Sequence, residues 1–363
     1  MLIFLVSTLI SLVLSLSFTP LMIMLSRKFK VMDMPNTRKA HREPMPLMGG
    51  VAIYLATIVA TVLFNVFFVQ NLQFNIVAAF LIGISGVTMM GLIDDILSLS
   101  AKRRLIILFI LALIVLIGCL QFYFPSQLLH TDLGLTLLLS FVVVFWIVGV
   151  TNAINLSDGL DGLASSLSLV SVAGFALIFY LQGRTQLALP TTMALFGAIV
   201  GFLPYNISPA KIFMGDAGSM FIGFMLGILS IMSLSEKPFI FFVVPVFLIL
   251  MPILDMSMSV LRRLLLRRPV MQPDKMHFHH ALNKRFRSHR VVVVILAGFQ
   301  LVFAAIGIAV YLTELFILGW LALGGIALGA ILYTLATARR VQGAETPAPA
   351  ADAPSETTDR PDE

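Results

Sequence analysis

Four polar residues recur at every third position of the stretch NAINLSDGLDGLA, between two long apolar runs. They are Asn152, Asn155, Asp158 and Asp161. A three-residue step in an α-helix turns each side chain by about 60° from the last, so an unbroken helix would scatter them over opposite faces. A tighter 3₁₀ turn, or a break at Gly159 and Gly162, would aim them into one polar cavity. Non-helical backbone is tolerated at membrane depth only where it lines such a cavity. Ordinary helix capping explains one or two of these residues, but not four.

Acidic residues also lie at the borders of apolar runs in two other loops. Asp94 and Asp95 are adjacent in GLIDDILSLSAKRR, and neighbouring carboxylates repel each other unless a cation or a proton lies between them. Asp216 lies in FMGDAGS between Gly215 and Gly218, where bare backbone can approach a ligand. Oxygen ligands without a nearby thiolate favour Mg²⁺, with Mn²⁺ as the alternative, over zinc. For any one acid taken alone, an ordinary charged helix end is an equally good interpretation.

The loop MQPDKMHFHHALNKRFRSHR holds three histidines within four positions, His277, His279 and His280. The many surrounding cations disfavour a metal ion, so the cluster predicts a site for phosphate or diphosphate. Lys211, Arg262 and Arg263 would extend this anion site, although bases at such positions are also typical of membrane topology. His289, an isolated histidine, is interpreted as solvated.

The elements that position these residues follow from composition. Of 363 residues, 59% are hydrophobic and 12% are charged, which excludes a water-soluble globule. A helix needs about 20 apolar residues to cross a bilayer. Such runs occur at 2–25, 48–69, 74–93, 105–121, 133–150, 163–181, 186–204, 217–234, 238–260, 291–312 and 315–336. The sequence predicts an all-α polytopic membrane protein with about eleven transmembrane helices.

Loop charge predicts the orientation, because Lys and Arg accumulate on the cytoplasmic side. Bases are concentrated after the first and third spans and between the ninth and tenth, whereas the loops after the even-numbered spans hold only Arg184 and Lys237. The N-terminus is therefore expected outside and the C-terminus in the cytoplasm. The net charge of +6 indicates topology and attraction to anionic lipids, not nucleic-acid binding.

Residues 1–340 are predicted to form one integral membrane domain whose functional loops face the cytoplasm. Residues 341–363 are rich in Ala, Pro, Thr and acids, and we expect them to form a disordered cytoplasmic tail. The single cysteine, Cys119, excludes an intrachain disulfide and a cysteine-based zinc site.

Carboxylates suited to a metal, polar amides and basic groups are thus expected on one face of the membrane. Phosphoryl transfer needs these components, since a metal neutralises phosphate oxygens and cations hold the leaving group. A site at the lipid boundary predicts a lipid phosphate as one reactant and a soluble nucleotide conjugate as the other.

Five motifs resemble one family in order and spacing: PLMGGVAIY, GLIDDILSLSAKRR, NAINLSDGLDGLA, FMGDAGS and HFHH. It is the family of polyprenyl-phosphate N-acetylhexosamine-1-phosphate transferases, and the resemblance runs from about Asp33 to the end of the last span. It implies an eleven-span, Mg²⁺-dependent enzyme that moves a sugar 1-phosphate from a UDP-sugar to undecaprenyl phosphate and releases UMP.

The resemblance also implies roles for individual residues. The catalytic candidates are Asp94, Asp95, Asp158 and His279, one of the paired acids activating the lipid phosphate. Asp216 corresponds to the Mg²⁺ ligand, with Asp95 close to the metal. The candidates for substrate binding are Asn155, Asp161, Asn206, His277, His280 and Lys211. Among these, Asn155 resembles a residue beside the diphosphate, Asp161 one that contacts uracil, and Asn206 another nucleotide contact.

Two motifs point to the sugar. HFHH and VMDMPNTRKAHREPMPLMGG resemble the branch that uses UDP-GlcNAc, whereas members that use UDP-MurNAc-pentapeptide carry three adjacent histidines. This branch begins lipid-linked glycans such as O-antigen, common antigen or teichoic acid, in the bacterial inner membrane. The expected partners are UDP-GlcNAc, undecaprenyl phosphate and the bilayer, and a homodimer is compatible with the sequence. Another UDP-N-acetylhexosamine stays open as the substrate.

The rival from another class is an ion-coupled secondary transporter. Transporter sites usually lie near the bilayer midplane between repeated halves, whereas these acids lie at one face and no clear internal repeat is found. Asp255, within the ninth span, is interpreted as a structural partner of Arg262 or Arg263.

Overall fold

The computed structural model describes residues 2–35, 43–68, 74–123, 133–184, 187–234, 239–269 and 277–345. Of the predicted disordered tail 341–363, residues 341–345 are instead helical, and the part from 346 onward lies outside the described residues, as does the side chain of Cys119. The helices are α1 (Leu2–Phe29), α2 (Gly49–Phe68), α3 (Phe74–Leu97), α4 (Ala101–Tyr123), α5 (Leu133–Ser157), α6 (Leu163–Leu181), α7 (Ala188–Asn206), α8 (Gly215–Met232), α9 (Val243–Leu248), α10 (Leu250–Leu265), α11 (Phe278–Phe286), α12 (His289–Thr313) and α13 (Phe316–Glu345). A short antiparallel pair, β1 (Met32–Asp33) and β2 (Met45–Pro46), sets Met32 opposite Pro46.

The predicted all-α polytopic membrane fold is confirmed, and the orientation of the termini stays a prediction. Nine helices in the described ranges are long and apolar enough to cross a membrane, and a tenth candidate span consists of two helices bent by 89°. The remaining predicted span, 105–121, coincides with α4. Helices α3 and α5 run past their predicted ends at 93 and 150, so the acidic pair lies on the last turn of α3 and Asn155 on the last turn of α5.

The span predicted at 238–260 is not one continuous helix. It comprises a 3₁₀ turn (Phe239–Phe242), α9 and α10, and it breaks at Ile249, whose φ of −127° and ψ of 15° are not helical. Gln300 of α12 repairs the hydrogen-bond ladder: Met251 N–H donates to its Oε1 (3.0 Å), and its Nε2 donates to the carbonyl of Leu248 (2.6 Å). Because lipid offers no hydrogen bonds, this buried side chain makes the break tolerable.

Helix α8 forms the centre of the bundle, since every one of its residues except Asp216 is buried. It lies against α2, α3 and α5. Glycines permit these approaches: a Cβ on Gly50 would lie 2.0 Å from the backbone nitrogen of Gly218, and one on Gly91 would lie 2.5 Å from the carbonyl oxygen of Asp216. The first helical turn of α8 is therefore held rigidly against two neighbouring helices.

Backbone hydrogen bonds fasten the PLMGG motif to the loop before α8. Phe213 N–H donates to the carbonyl of Pro46 (2.9 Å), and the N–H groups of Gly49 and Gly50 donate to the carbonyls of Phe213 (3.1 Å) and Met214 (2.8 Å). The otherwise unpaired N–H groups at the start of α2 are thus satisfied by this loop. Two motifs that are distant in sequence form one unit beside Asp216.

Gly50→Ala is expected to destabilise the protein and lower its activity, because the added methyl would meet backbone atoms of Gly218 that cannot rotate away. Overpacking of this kind costs about 1–3 kcal/mol. A thermal melt in detergent would measure the change. Gly324→Ala is the matched control, since a Cβ there meets nothing within 4 Å, and its melting temperature should not fall. Equal melting temperatures for Gly50→Ala and the wild type would contradict the packing described.

Candidate active site

A cavity of about 1290 Å³ opens where α3, α5 and α8 meet β2 and the loops beside them. Among the described residues, seven carboxylates line it: Asp33, Glu43, Asp94, Asp95, Asp158, Asp161 and Asp216. The basic side chains in its lining are those of Arg104, His280 and His289. Negative charge therefore exceeds positive charge, which favours a bound cation.

Asp95 caps the N-terminus of α8 from another helix. Asp216 N–H donates to its Oδ1 (2.8 Å), and Ala217 N–H donates to its Oδ2 (3.1 Å). Met214, at the N-cap position of α8, makes no side-chain cap of its own, so Asp95 satisfies donors that the helix leaves unpaired. Gly215 has a φ of +68°, and a Cβ there would lie 2.6 Å from Oδ2 of Asp95. Glycine is required at this position both by the backbone conformation and by the close carboxylate.

Arg104 of α4 bridges two of the acids. Its Nη1 lies 2.7 Å from Oδ2 of Asp94 and 3.3 Å from Oδ2 of Asp216. Asp94 is buried, and its Oδ1 accepts a hydrogen bond from the N–H of Leu99 (2.6 Å). Both oxygens of Asp94 are thus engaged in fixing Arg104 and the turn that follows α3.

Asn155 holds the other side of Asp216. Its Nδ2 donates to Oδ1 of Asp216 (2.7 Å) and lies 2.9 Å from Oγ of Ser219. Each oxygen of Asp216, like each oxygen of Asp95, therefore has one protein donor and keeps a further acceptor position. This set of carboxylate oxygens fits a hard cation of the Mg²⁺ type.

The break predicted inside NAINLSDGLDGLA lies where the glycines are. Helix α5 ends at Ser157, Gly162 adopts a φ of +76°, and α6 begins at Leu163. Asn155, Asp158 and Asp161 line the cavity. Asn152 behaves differently, because its Nδ2 donates to the carbonyl of Val148 one turn earlier (2.7 Å). The structure thus brings three of the four residues together.

The two acids of this turn have opposite pKa shifts. Burial, together with the charges of Asp216 and Asp161, raises the pKa of Asp158 to about 7. Burial also acts to raise the pKa of Asp161, but the neighbouring imidazole of His289 and the hydrogen bond from the N–H of Ala210 outweigh it and lower that pKa overall. Asp158 is therefore the group in this turn that a nearby cation would alter most, because a positive charge favours the ionised carboxylate.

Asn206, the last residue of α7, and Lys211, in the loop that follows, occupy different environments. Asn206 lines the cavity, yet its amide is engaged: Ser165 Oγ donates to Oδ1 (2.7 Å), and Nδ2 donates to the carbonyl of Ile212 (3.1 Å). Lys211, predicted to bind substrate, is exposed and does not line the cavity. Its backbone N–H donates to the carbonyl of Tyr205 (2.8 Å), so Lys211 helps to shape the loop through its main chain.

The histidine cluster divides into two parts. His280 lines the cavity, whereas His277 and His279 are buried beside Asp255 of α10. Oδ2 of Asp255 lies 2.8 Å from Nδ1 of His279, and its Oδ1 accepts a hydrogen bond from Phe278 N–H (2.7 Å). Asp255, which the sequence suggested as a partner of Arg262 or Arg263, thus anchors the histidine segment.

Ligand atoms of Asp255, His277 and His279 all lie within 4.8 Å of one another, a separation that a shared metal ion could also produce. Two ligand atoms of a tetrahedral zinc ion at about 2.0–2.1 Å would be roughly 3.3 Å apart. The observed 2.8 Å between Asp255 and His279 is instead the length of a charge-assisted hydrogen bond. The cluster therefore fits a hydrogen-bonded pair better than a metal centre.

Sequence reasoning missed Arg104 and His289. Arg104 belongs to the triplet KRR, which has the ordinary appearance of a cytoplasmic topology signal. His289 was interpreted as solvated, but it lines the cavity with Nδ1 3.8 Å from Oδ1 of Asp161. A signal was present for it, since it begins α12 directly after a basic loop that already held the histidine cluster.

Comparisons with known proteins place the chain among related transferases. The pattern of glycosyl transferase family 4 matches residues 77–234. The chain is 36% identical over 305 residues to the probable undecaprenyl-phosphate N-acetylglucosaminyl 1-phosphate transferase of Bacillus subtilis (strain 168). The aligned residues cover 83% of this chain and 84% of that protein. It is also 36% identical over 211 residues to the phospho-N-acetylmuramoyl-pentapeptide-transferase of Staphylococcus aureus (strain JH9). That alignment covers 54% of this chain and 64% of that protein.

Proposed function

The chain belongs to glycosyl transferase family 4, and we propose that it transfers N-acetylglucosamine 1-phosphate from UDP-GlcNAc to undecaprenyl phosphate, releasing UMP. The observation that carries this proposal is the acidic cavity at the ends of apolar spans, with Arg104 and two histidines in its lining. Such a site places a charged reaction beside lipid, as a lipid phosphate acceptor requires. The relative that matches most of the chain bears the name of this activity.

The proposed reaction is a direct displacement. An oxygen of the lipid phosphate forms a bond to the β-phosphorus of UDP-GlcNAc, the bond between that phosphorus and the bridging oxygen breaks, and UMP leaves with this oxygen and its electron pair. The acceptor is already an anionic nucleophile once its last proton, with a pKa of about 6, is lost. A covalent aspartyl intermediate would therefore add little.

Mg²⁺ is the proposed cofactor, and Asp216 with Asp95 would hold it. When bound, such an ion neutralises phosphate oxygens and orients the groups in line. Asp216 is suited to this task because Asn155 and Arg104 fix both of its oxygens. Asp95 is suited because the N-terminus of α8 fixes it. Asp94 would then act through Arg104, whose guanidinium can also meet a phosphate.

The site is proposed to face the cytoplasm of a bacterial membrane, since the basic loops flank it and UDP-sugars are soluble. A second candidate substrate is UDP-MurNAc-pentapeptide, because a relative named for that chemistry matches about half of the chain. The HFHH segment favours UDP-GlcNAc over it.

UMP release by the detergent-purified protein would test the proposal. With undecaprenyl phosphate and Mg²⁺ present, we expect UMP from UDP-GlcNAc and none from UDP-MurNAc-pentapeptide in a parallel reaction. Omitting the lipid should abolish release, because direct displacement needs the acceptor. UMP only from the pentapeptide substrate would overturn the choice of sugar, and no release from any UDP-N-acetylhexosamine would overturn the transferase proposal.

A further inference from the structure

The imidazole of His279 lies between α10 and the turn that follows α5. The ring is 1% exposed. Its Nδ1 lies 2.8 Å from Oδ2 of Asp255. Its Nε2 would lie only 2.6 Å from a Cβ added to Gly159. Gly159 lines the cavity beside Asp158. One buried ring therefore connects a buried carboxylate to the cavity wall.

We propose that Asp255 is a positioning residue that keeps a proton on Nδ1 of His279 and so presents Nε2 to the diphosphate of the nucleotide sugar. The inference rests on the proposed function for the identity of that ligand. An ionised carboxylate only accepts hydrogen bonds, so Nδ1 must be the donor in this pair. The hydrogen bond at one ring nitrogen decides the chemistry of the other. Nε2 alone is left to exchange a proton or, in the protonated ring, to donate to a phosphate oxygen.

The surroundings single out His279 among the three histidines. Its Nε2 is buried and has no hydrogen-bond partner among the described residues, and a buried polar atom of this kind is costly unless a ligand satisfies it. His277 stacks on His279 with ring centres 5.3 Å apart, but its Nδ1 is 3.6 Å from Asp255, too far for a hydrogen bond. His280 lies at the cavity itself.

Gly159 brings the backbone of the turn close to the Nε2 side of the buried ring. A side chain at this position would occupy the space next to Nε2 and separate it from the cavity. The absence of a Cβ thus leaves bare backbone between the imidazole and the site of Asp158. A small shift of this turn on substrate binding would bring Nε2 to a phosphate oxygen.

Asp255→Asn is the informative substitution, because it keeps the shape of the side chain. The N–H of Phe278 needs an acceptor, so the amide oxygen should take that position and leave the NH₂ group facing Nδ1 of His279. His279 would then have to accept at Nδ1 and carry its proton on Nε2. The anchor of the histidine segment is retained, while the tautomer is reversed.

Two measurements on the full-length protein in detergent test this. In protein labelled with ¹⁵N-histidine, the resonance lost in His279→Gln identifies His279, and long-range ¹⁵N–¹H couplings report its tautomer. We expect a proton on Nδ1 in the wild type and on Nε2 in Asp255→Asn. The wild-type tautomer persisting in Asp255→Asn would overturn the proposal.

The second measurement is a double-mutant cycle on the kcat of UMP release. Asp255→Asn and His279→Gln should each lower kcat by about 100-fold or more, since reversing a tautomer in a comparable Asp–His pair costs about 10⁴-fold. The double variant should be no slower than His279→Gln, because Asp255 acts only through that ring. KM for UDP-GlcNAc should change little. Multiplicative losses, or an Asp255→Asn kcat within about 3-fold of wild type, would refute the positioning role.

The proposed function and the positioning role of Asp255 can be contradicted separately. A wild-type protein that releases no UMP would overturn the proposed function and the diphosphate as ligand, while the tautomer still decides whether Asp255 orients His279. An active wild type with an unaffected Asp255→Asn variant would overturn this inference alone. Melting temperatures within a few degrees of the wild type would show that both variants are folded, so that a loss of activity is not caused by unfolding.

Discussion

Asp216→Asn is expected to lower the kcat of UMP release by more than about 100-fold, because even residues outside a metal's ligand shell typically contribute 10–100-fold. Asp216 is the only residue of α8 that is not buried, and both of its oxygens are already oriented by donors from α4 and α5. In asparagine, an NH₂ group would face either Arg104 or Asn155, each of which presents donors. The substitution thus removes a negative charge and also breaks one of two hydrogen bonds.

The fold should survive this substitution. The N-terminus of α8 is capped by Asp95 through backbone N–H groups, and these do not depend on the side chain of Asp216. Glu314→Gln is the matched control, since Glu314 is an exposed acid just beyond the far end of α12, roughly 37 Å along that helix from His289. We expect wild-type kcat in the control and similar melting temperatures for all three proteins. An Asp216→Asn variant with more than about one tenth of wild-type kcat would contradict a metal-ligating role.

Much of the helical architecture could be read from the sequence because spans and helix breaks are local properties. The mean hydropathy of +1.00 and the lengths of the apolar runs predict the bundle, and the glycines predict the break after α5. The bend at Ile249 could not be read in the same way. The bend depends on Gln300, which accepts a hydrogen bond from the N–H of Met251, 49 positions away. Apolar residues continue on both sides of the break, so the local sequence does not reveal it.

The pairing of site residues was less predictable, because each pair joins distant segments. Asp95 and the N–H of Asp216 are 121 positions apart, and nothing in either motif states that one caps the other's helix. The adjacent acids looked equivalent in sequence, yet Asp94 engages Arg104 while Asp95 engages α8. That division follows from helix geometry: adjacent residues point about 100° apart, so two neighbouring aspartates must serve two different partners.

The histidine segment illustrates an incomplete local signal. Its many cations predicted an anion site for all three histidines, but composition does not reveal that Asp255 enters from α10. Two of the three rings are buried beside that carboxylate, while His280 lines the cavity. Loop charge therefore indicates the electrostatic surroundings of the segment, whereas the function of each ring depends on a partner in another element.

Removal of divalent cations is expected to abolish UMP release, and Mg²⁺ or Mn²⁺ to restore it. Seven carboxylates line the cavity, and a diphosphate and a lipid phosphate would add further negative charge. Without a cation the substrates should be repelled, so UDP-GlcNAc binding measured by calorimetry should weaken together with kcat. Dialysis against EDTA, with residual metal measured by mass spectrometry, would provide the metal-free protein.

The identity of the restoring ion separates two positions for the metal. Carboxylate oxygens at Asp95 and Asp216 favour Mg²⁺ and Mn²⁺, whereas two imidazoles and a carboxylate at Asp255 would favour Zn²⁺. The ion would be placed in the acidic cavity by two results together. Mg²⁺ should no longer restore activity in Asp216→Asn, whereas the residual activity of Asp255→Asn should still require Mg²⁺. Restoration by Zn²⁺ alone would contradict that position and the hydrogen-bonded interpretation of the Asp255–His279 pair, because the 2.8 Å contact would have to open for both atoms to bind one metal.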